Sequence, residues 1–154
     1  MQNKFKAFSV IELMLSAALF SIFSVAITVA ILQGSSVIQD GVQSEMARQF
    51  AMEGIEAVRA IRAQSFDALQ NTAGSGLRVN NGKWEFFGGQ DGRDGYVRTV
   101  SVQPAQRDSD GNIVASGGTD DADLKLATVT VTKNKFSTDL SAYLSRREII
   151  PIVP

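Results

Sequence analysis

The sequence predicts an α+β chain, with one long N-terminal helix, apolar in its first half and amphipathic in its second, packed on a small antiparallel β-sheet. Three observations predict it. Leu13 to Leu32 carries no charge and is dominated by apolar residues. Apolar residues at helical spacing then continue to about Leu69. Beyond that point the pattern changes to strand-like alternation broken by Gly and Asn.

The first segment is long enough to span a bilayer, since its twenty residues make about 30 Å of helix at 1.5 Å per residue. Lys4 and Lys6 precede it and no charge follows until Asp40, so the positive-inside bias places the N-terminus in the cytoplasm and the remainder outside. A secretory signal has an apolar core of roughly 7 to 15 residues before a small-x-small cleavage site. Ser16 and Ala18 follow too short a core for that, and Ala30 too long a one. Glu12 stands at the edge of the segment. Taken alone, it reads as a residue of the headgroup boundary, because a carboxylate drawn to the membrane centre costs about 2.5 to 3.5 kcal/mol.

Its neighbours change that reading. After the two lysines come Ala7, Phe8, Ser9, Val10, Ile11 and Glu12, then the apolar run. This order resembles the N-terminal signal of type IV pilins and type II secretion pseudopilins, in which a basic leader ends in glycine and is followed by Phe-Thr-Leu-Ile-Glu and an apolar helix. Phe8, Ile11 and Glu12 match, Ser9 and Val10 are conservative, and Ala7 departs from the family's glycine, which bears on the efficiency of leader removal. The resemblance implies that a prepilin peptidase cuts between Ala7 and Phe8 and methylates the new Phe8 amine, with the apolar helix retained. It further implies that Glu12 attracts the N-terminal amine of a neighbouring subunit during assembly. Phe8 and Glu12 also lie one helical turn apart, so a pairing within the subunit competes.

The stretch from Arg48 to Leu69, with Glu53-Gly54-Ile55-Glu56-Ala57-Val58-Arg59, is similar to the corresponding helix of minor pilins and minor pseudopilins. The resemblance implies a pilin-like fold with residues 1–7 as leader, 8–32 as transmembrane and filament-core helix, 33–70 as its amphipathic continuation and 71–154 as an extracytoplasmic β-rich head. The implied function is that of a structural subunit of a type IV pilus or type II secretion pseudopilus. Its partners would be other pilin or pseudopilin subunits, the prepilin peptidase, a membrane platform protein and the lipid bilayer. Its place would be the bacterial cytoplasmic membrane, as a single pass, and then a periplasmic or extracellular filament. The alternative from another class is a membrane-anchored extracytoplasmic binding module that does not polymerise.

Within the apolar segment Ala17, Ser21, Ser24 and Thr28 make a face of small residues suited to close helix approach, although such residues are common in spanning helices generally. Phe20, Phe23, Ile27 and Ile31 make a bulkier one. Further on, Ile38, Val42, Met46, Phe50, Ile55, Val58, Ile61 and Leu69 form the expected core stripe of one helix running to about Leu69. Gly34, Ser35, Ser36 and Gly41 are its weak points. Asn71 to Gly76 reads as the helix stop.

Leu77 to Val79 and Lys83 to Phe87 then read as a hairpin around Asn80-Asn81-Gly82. Tyr96 to Val102, Leu124 to Thr132 and Tyr143 to Ile150 supply the remaining strands, and Trp84, Phe86 and Phe87 are expected in the core.

Composition narrows the chemistry. With 154 residues there is room for one ordinary domain. Fifteen Lys and Arg against 16 Asp and Glu, scattered rather than clustered, give no basic stripe, so nucleic acid is not an expected partner. No cysteine and no histidine are present, which removes thiolate nucleophiles, imidazole bases and most zinc or copper sites. No cofactor and no enzymatic activity are expected.

Gly88 to Gly95 reads as a plain turn, because it lacks the Lys-Ser/Thr of a phosphate loop. Asp108, Asp110 and Asn112 alternate as calcium ligands do, but the glycine sits at the fourth place of the loop and no glutamate at the twelfth, so a turn is the first reading and a metal site the second. Asp120, Asp121 and Asp123 are read as solvated carboxylates rather than an acid-base pair.

Overall fold

The computed structural model describes residues 9–134 and 136–147. Ala7 and Phe8, and the Glu148–Ile150 end of the expected last strand, lie outside the described residues. The architecture is α+β, with one long N-terminal helix and an antiparallel sheet: α1 (Val10–Gln64), then β1 (Thr72–Asn80), β2 (Lys83–Phe87), β3 (Asp91–Arg93), β4 (Tyr96–Arg107), β5 (Ile113–Val114), β6 (Thr119–Lys133) and β7 (Phe136–Ser145). The chain divides into two compact units, Met1–Val42 and Gln43–Pro154.

In the first unit every described side chain from Val10 to Gly34 is exposed except Ser24, which is half-buried. The helix is long and apolar enough to cross a membrane, and none of its most apolar window is buried. Helical structure runs through Gly34, Ser35, Ser36 and Gly41 without interruption.

In the second unit the sheet order is β2-β1-β4-β6-β7, with β3 and β5 pairing with β4. β4 is the hub. One edge is shared by β3 at Tyr96 to Arg98, β1 at Val100 and Val102, and β5 at Gln106 and Arg107, while the other pairs with β6 over most of its length. The inward residues of β4 and β6, among them Tyr96, Val100, Val102, Ala127, Val129 and Val131, meet Phe50, Ile55, Val58 and Ile61 of α1 in one buried cluster. Strand alternation puts every second residue on that face, and the helical repeat puts these residues on one stripe.

Several expectations are corrected. Ile38, Val42 and Met46 are exposed, and the buried stripe instead contains Ala47, Ala51, Gly54 and Ala57. Small residues are needed because α1 lies close to the sheet: a Cβ on Gly54 would stand 2.8 Å from Cγ1 of Val129 and 3.0 Å from Cδ of Arg98.

The α-helix also ends at Gln64 rather than near Leu69. Ser65 turns extended, and its Oγ accepts the Asp67 N–H at 3.2 Å to start a short 3-10 turn, Phe66–Ala68. That turn and the residue after it bury Phe66 and Leu69 without continuing the helix. Asn71 to Gly76 is therefore mostly strand, and its glycines serve close packing: a Cβ on Gly76 would fall 2.6 Å from the Gln90 carbonyl oxygen.

The Asn81-Gly82 turn forms as expected, with φ of 50° and 75° joining paired Asn80 and Lys83. Trp84 and Phe86 are only partly buried against the core, and Phe87, on the opposite face, is 54% exposed beneath the Arg78 guanidinium, 3.8 Å from the ring centre. The last strand starts at Phe136 and ends at Ser145, displaced toward the N-terminus from the expected Tyr143 to Ile150. Gly88 to Gly95 is not a plain turn either. It contains β3, closed onto β4 by Asp94 and Gly95 at positive φ.

Candidate functional site

Of the residues singled out for assembly, Glu12 is the one described. Ser9 precedes the helix and Glu12 is its third helical residue, the spacing of a capping box. The Glu12 carboxylate reaches back to accept the Ser9 N–H at 3.0 Å, and the Leu13 N–H reaches the Ser9 carbonyl at 3.2 Å. One of the helix's free N-terminal donors is thereby satisfied by a charge suited to that end of the helix dipole. This contact is not among the expectations drawn from the sequence. The signal that reveals it is Ser-x-x-Glu directly before an apolar run.

The rest of the apolar helix hides its polar atoms. Ser16, Ser21, Ser24 and Thr28 each donate their hydroxyl to the carbonyl four residues earlier, at 2.8 to 2.9 Å. Ser35 and Ser36 donate three residues back, each at 2.9 Å. A hydroxyl entering an apolar medium unbonded costs several kcal/mol, and back-bonding removes most of that cost. The face of Ala17, Ser21, Ser24 and Thr28 is thus small and internally satisfied, suited to lipid or to another helix.

In the second unit the most constrained polar group is Arg98, 2% exposed on the helix-facing side of β4. Its Nε and one terminal nitrogen donate to the two carboxylate oxygens of Asp91, at 3.2 and 2.7 Å. The other terminal nitrogen donates to the Phe50 carbonyl at 3.2 Å, and the guanidinium stacks 4.1 Å over the Phe50 ring. Glu53 stands 3.6 Å away and also binds Arg93 at 2.8 Å. Asp91 accepts the Leu77 N–H as well, at 2.9 Å. The segment read as a plain turn therefore supplies the carboxylate that satisfies a buried cation and joins β1, β3, β4 and α1. Alternation with Tyr96 and Val100 puts Arg98 on the inward face, but the sequence gives no signal of the partners that let a cation stay there.

The calcium-like spacing resolves into a local turn. The Asp108 carboxylate accepts N–H groups from Asp110 at 3.0 Å and Asn112 at 2.8 Å, and the Asn112 side-chain amide at 3.1 Å. The Asn112 bonds are the main reason the Asp108 carboxyl is held below the usual carboxylate range. Asp121 lies below it too, chiefly through its bond from Arg107 at 2.7 Å. Asp120 accepts from Gln106 and Asp123 from Arg146. Among the described residues no group of three His, Cys, Asp or Glu is placed to hold a metal ion.

Compared with protein-family models, curated proteins and solved structures, the chain matches none of them.

Proposed function

We propose that this chain is a structural subunit of the minor pilin or minor pseudopilin kind and not an enzyme. A prepilin peptidase processes it between Ala7 and Phe8, and the bilayer holds it as a single pass, N-terminus in the cytoplasm and head outside. With the membrane platform protein it then assembles through its N-terminal helix with like subunits into a type IV pilus or type II secretion filament. The observation that carries this reading is the bare apolar helix, whose hydroxyls are all satisfied internally and whose sequence continues into a head-packing half. Such a surface requires cover, either by lipid or by other helices. The order of residues from Ala7 to Glu12 supports the choice of a polymerising family.

A second reading has a specific observation in its favour. The Glu12 carboxylate is already engaged by the Ser9 N–H, which suits a boundary cap on a non-polymerising anchored module. Two substitutions separate the readings. Glu12→Ala removes both charge and acceptor, whereas Glu12→Gln removes the charge and keeps an oxygen for Ser9. If Glu12 pairs with the Phe8 amine of a neighbour, both variants insert normally and both are depleted from sheared filaments, because a buried charge left unpaired costs about 3 to 5 kcal/mol. If Glu12 is only a cap in a polymerising subunit, Glu12→Gln is incorporated like the wild type, which refutes the pairing role. If the chain is a non-polymerising module, neither the wild type nor any variant is recovered in sheared filaments, which refutes the assembly reading.

A further inference from the structure

Among the described residues β7 is an edge of the sheet, and beside its end lies a cleft of about 710 Å3 walled by the last turns of α1. Arg59, Arg62 and Arg147 line it, with Tyr143 and Ser145. Arg59 pairs with Glu56 of its own helix, and among the described residues Arg62 spends only its Nε, on the Ser145 carbonyl at 3.0 Å. Among the described residues no carboxylate pairs with Arg62 or Arg147.

The opposite excess lies on the loop joining β4, β5 and β6. There Asp108, and Asp120 and Asp121 at the start of β6, line one cleft with a single guanidinium, Arg107, which is committed to Asp121 and to the Gly111 carbonyl, and Asp110 adds a fourth carboxylate on the adjoining turn. Asp110 and Asp120 are exposed, and no described cation pairs with either.

We propose that the Arg59, Arg62 and Arg147 cleft receives the Asp108 to Asp121 loop of a second copy of this chain. The choice of a second copy rests on the assembly reading above, and the charge complementarity stands on its own. Guanidinium forks take carboxylates in two-point contacts. Cleft against cleft and loop against loop repel, so only the unlike pairing is favoured, which fixes the register of docking. Because two different patches meet, the contact does not close on itself as a two-fold dimer does, and it can repeat from copy to copy. Among the described strands β7 pairs with β6 alone, so its other side beside the cleft can bond an incoming loop.

The test uses the full chain in detergent, where the absence of native cysteine makes single cysteines clean reporters. Ala63→Cys marks the cleft and Ser109→Cys marks the loop, both at exposed positions. On mixing and mild oxidation, the mixed disulfide is expected to exceed either like pair. Adding Arg147→Glu to the cleft chain should lower it by about threefold to tenfold, and adding Asp110→Lys to the loop chain should restore it. A mixed disulfide no more abundant than the like pairs, or one indifferent to the charge reversals, overturns the proposal. So does inorganic phosphate bound in the cleft without preference for the mixed pair, which would assign the site to a small anion. Filaments that form without this disulfide would remove the contact and leave the filament reading intact. A charge-dependent disulfide in chains that never polymerise would do the reverse.

Discussion

Replacing Arg98 by Met should cost the head about 3 to 5 kcal/mol, the usual penalty for removing one partner of a buried ion pair. Met fills much of the same volume, so the loss is electrostatic more than steric. Asp91 would lose both guanidinium bonds while only 22% of its side chain reaches solvent, and the Phe50 carbonyl would lose its side-chain donor. Arg93 keeps Glu53 neutralised, so the damage should centre on Asp91.

A compensating change follows from the same geometry. Arg98→Met with Asp91→Asn removes the stranded charge and retains an oxygen for the Leu77 N–H, and should recover about 1 to 3 kcal/mol relative to the single variant. The assay is urea unfolding of a chain starting at about Leu32, followed by circular dichroism, with a cooperative transition of mixed helix and strand character. The single variant should shift the midpoint at unchanged slope. A single variant that loses less than about 1 kcal/mol, or a double variant no better than the single, would refute the claim that Arg98 and Asp91 act as a coupled buried pair.

Three further outcomes are expected. Gly54→Ala should destabilise the head by about 1 to 2 kcal/mol, because overpacking against Val129 and Arg98 outweighs the gain of roughly 1 kcal/mol in helix propensity, and a stabilised variant in the same urea assay would refute the close approach. Mass spectrometry of the mature chain should find Phe8 first with a methylated amine, Ala7→Gly should raise the processed fraction without changing the product, and an intact Met1 would count against processing. Asp121, held below the ordinary carboxylate range by Arg107, adds stability that is present above about pH 4 and lost as pH falls through its lowered folded value. The acid-induced drop in melting temperature should therefore be smaller in Arg107→Gln, and an equal drop would exclude this pair as a contributor.

What the sequence determined by itself is what local pattern controls. Twenty uncharged, mostly apolar residues from Leu13 to Leu32 define a helix that needs no partner in the chain. Asn81-Gly82 defines its hairpin, because those two residues tolerate the positive φ that a two-residue turn demands. Alternation marked the centres of β4 and β6, but not their ends. The strand expected over Tyr96 to Val102 runs on through Pro104, which lacks an N–H, where its register against β6 shifts. The Glu12 cap is equally local, and Ser9 at the right spacing carries its signal, although the cap is not among the expectations.

Tertiary structure alone decided the rest. β7 is a strand from Phe136 because β6 stands ready to pair with it, although Ser137, Thr138 and Asp139 show no apolar alternation. Met46 is exposed and Gly54 buried because the approach of the helix to the sheet, more than hydrophobicity, selects which helical face is covered. Arg98 is buried because Asp91, Phe50 and Glu53, far from it along the chain or across a turn, converge to satisfy it. Alternation with Tyr96, Val100 and Val102 puts Arg98 on the inward face, but a cation's cost of leaving water depends on partners that only the folded chain brings within reach, so its neighbours in sequence do not show how its burial is satisfied.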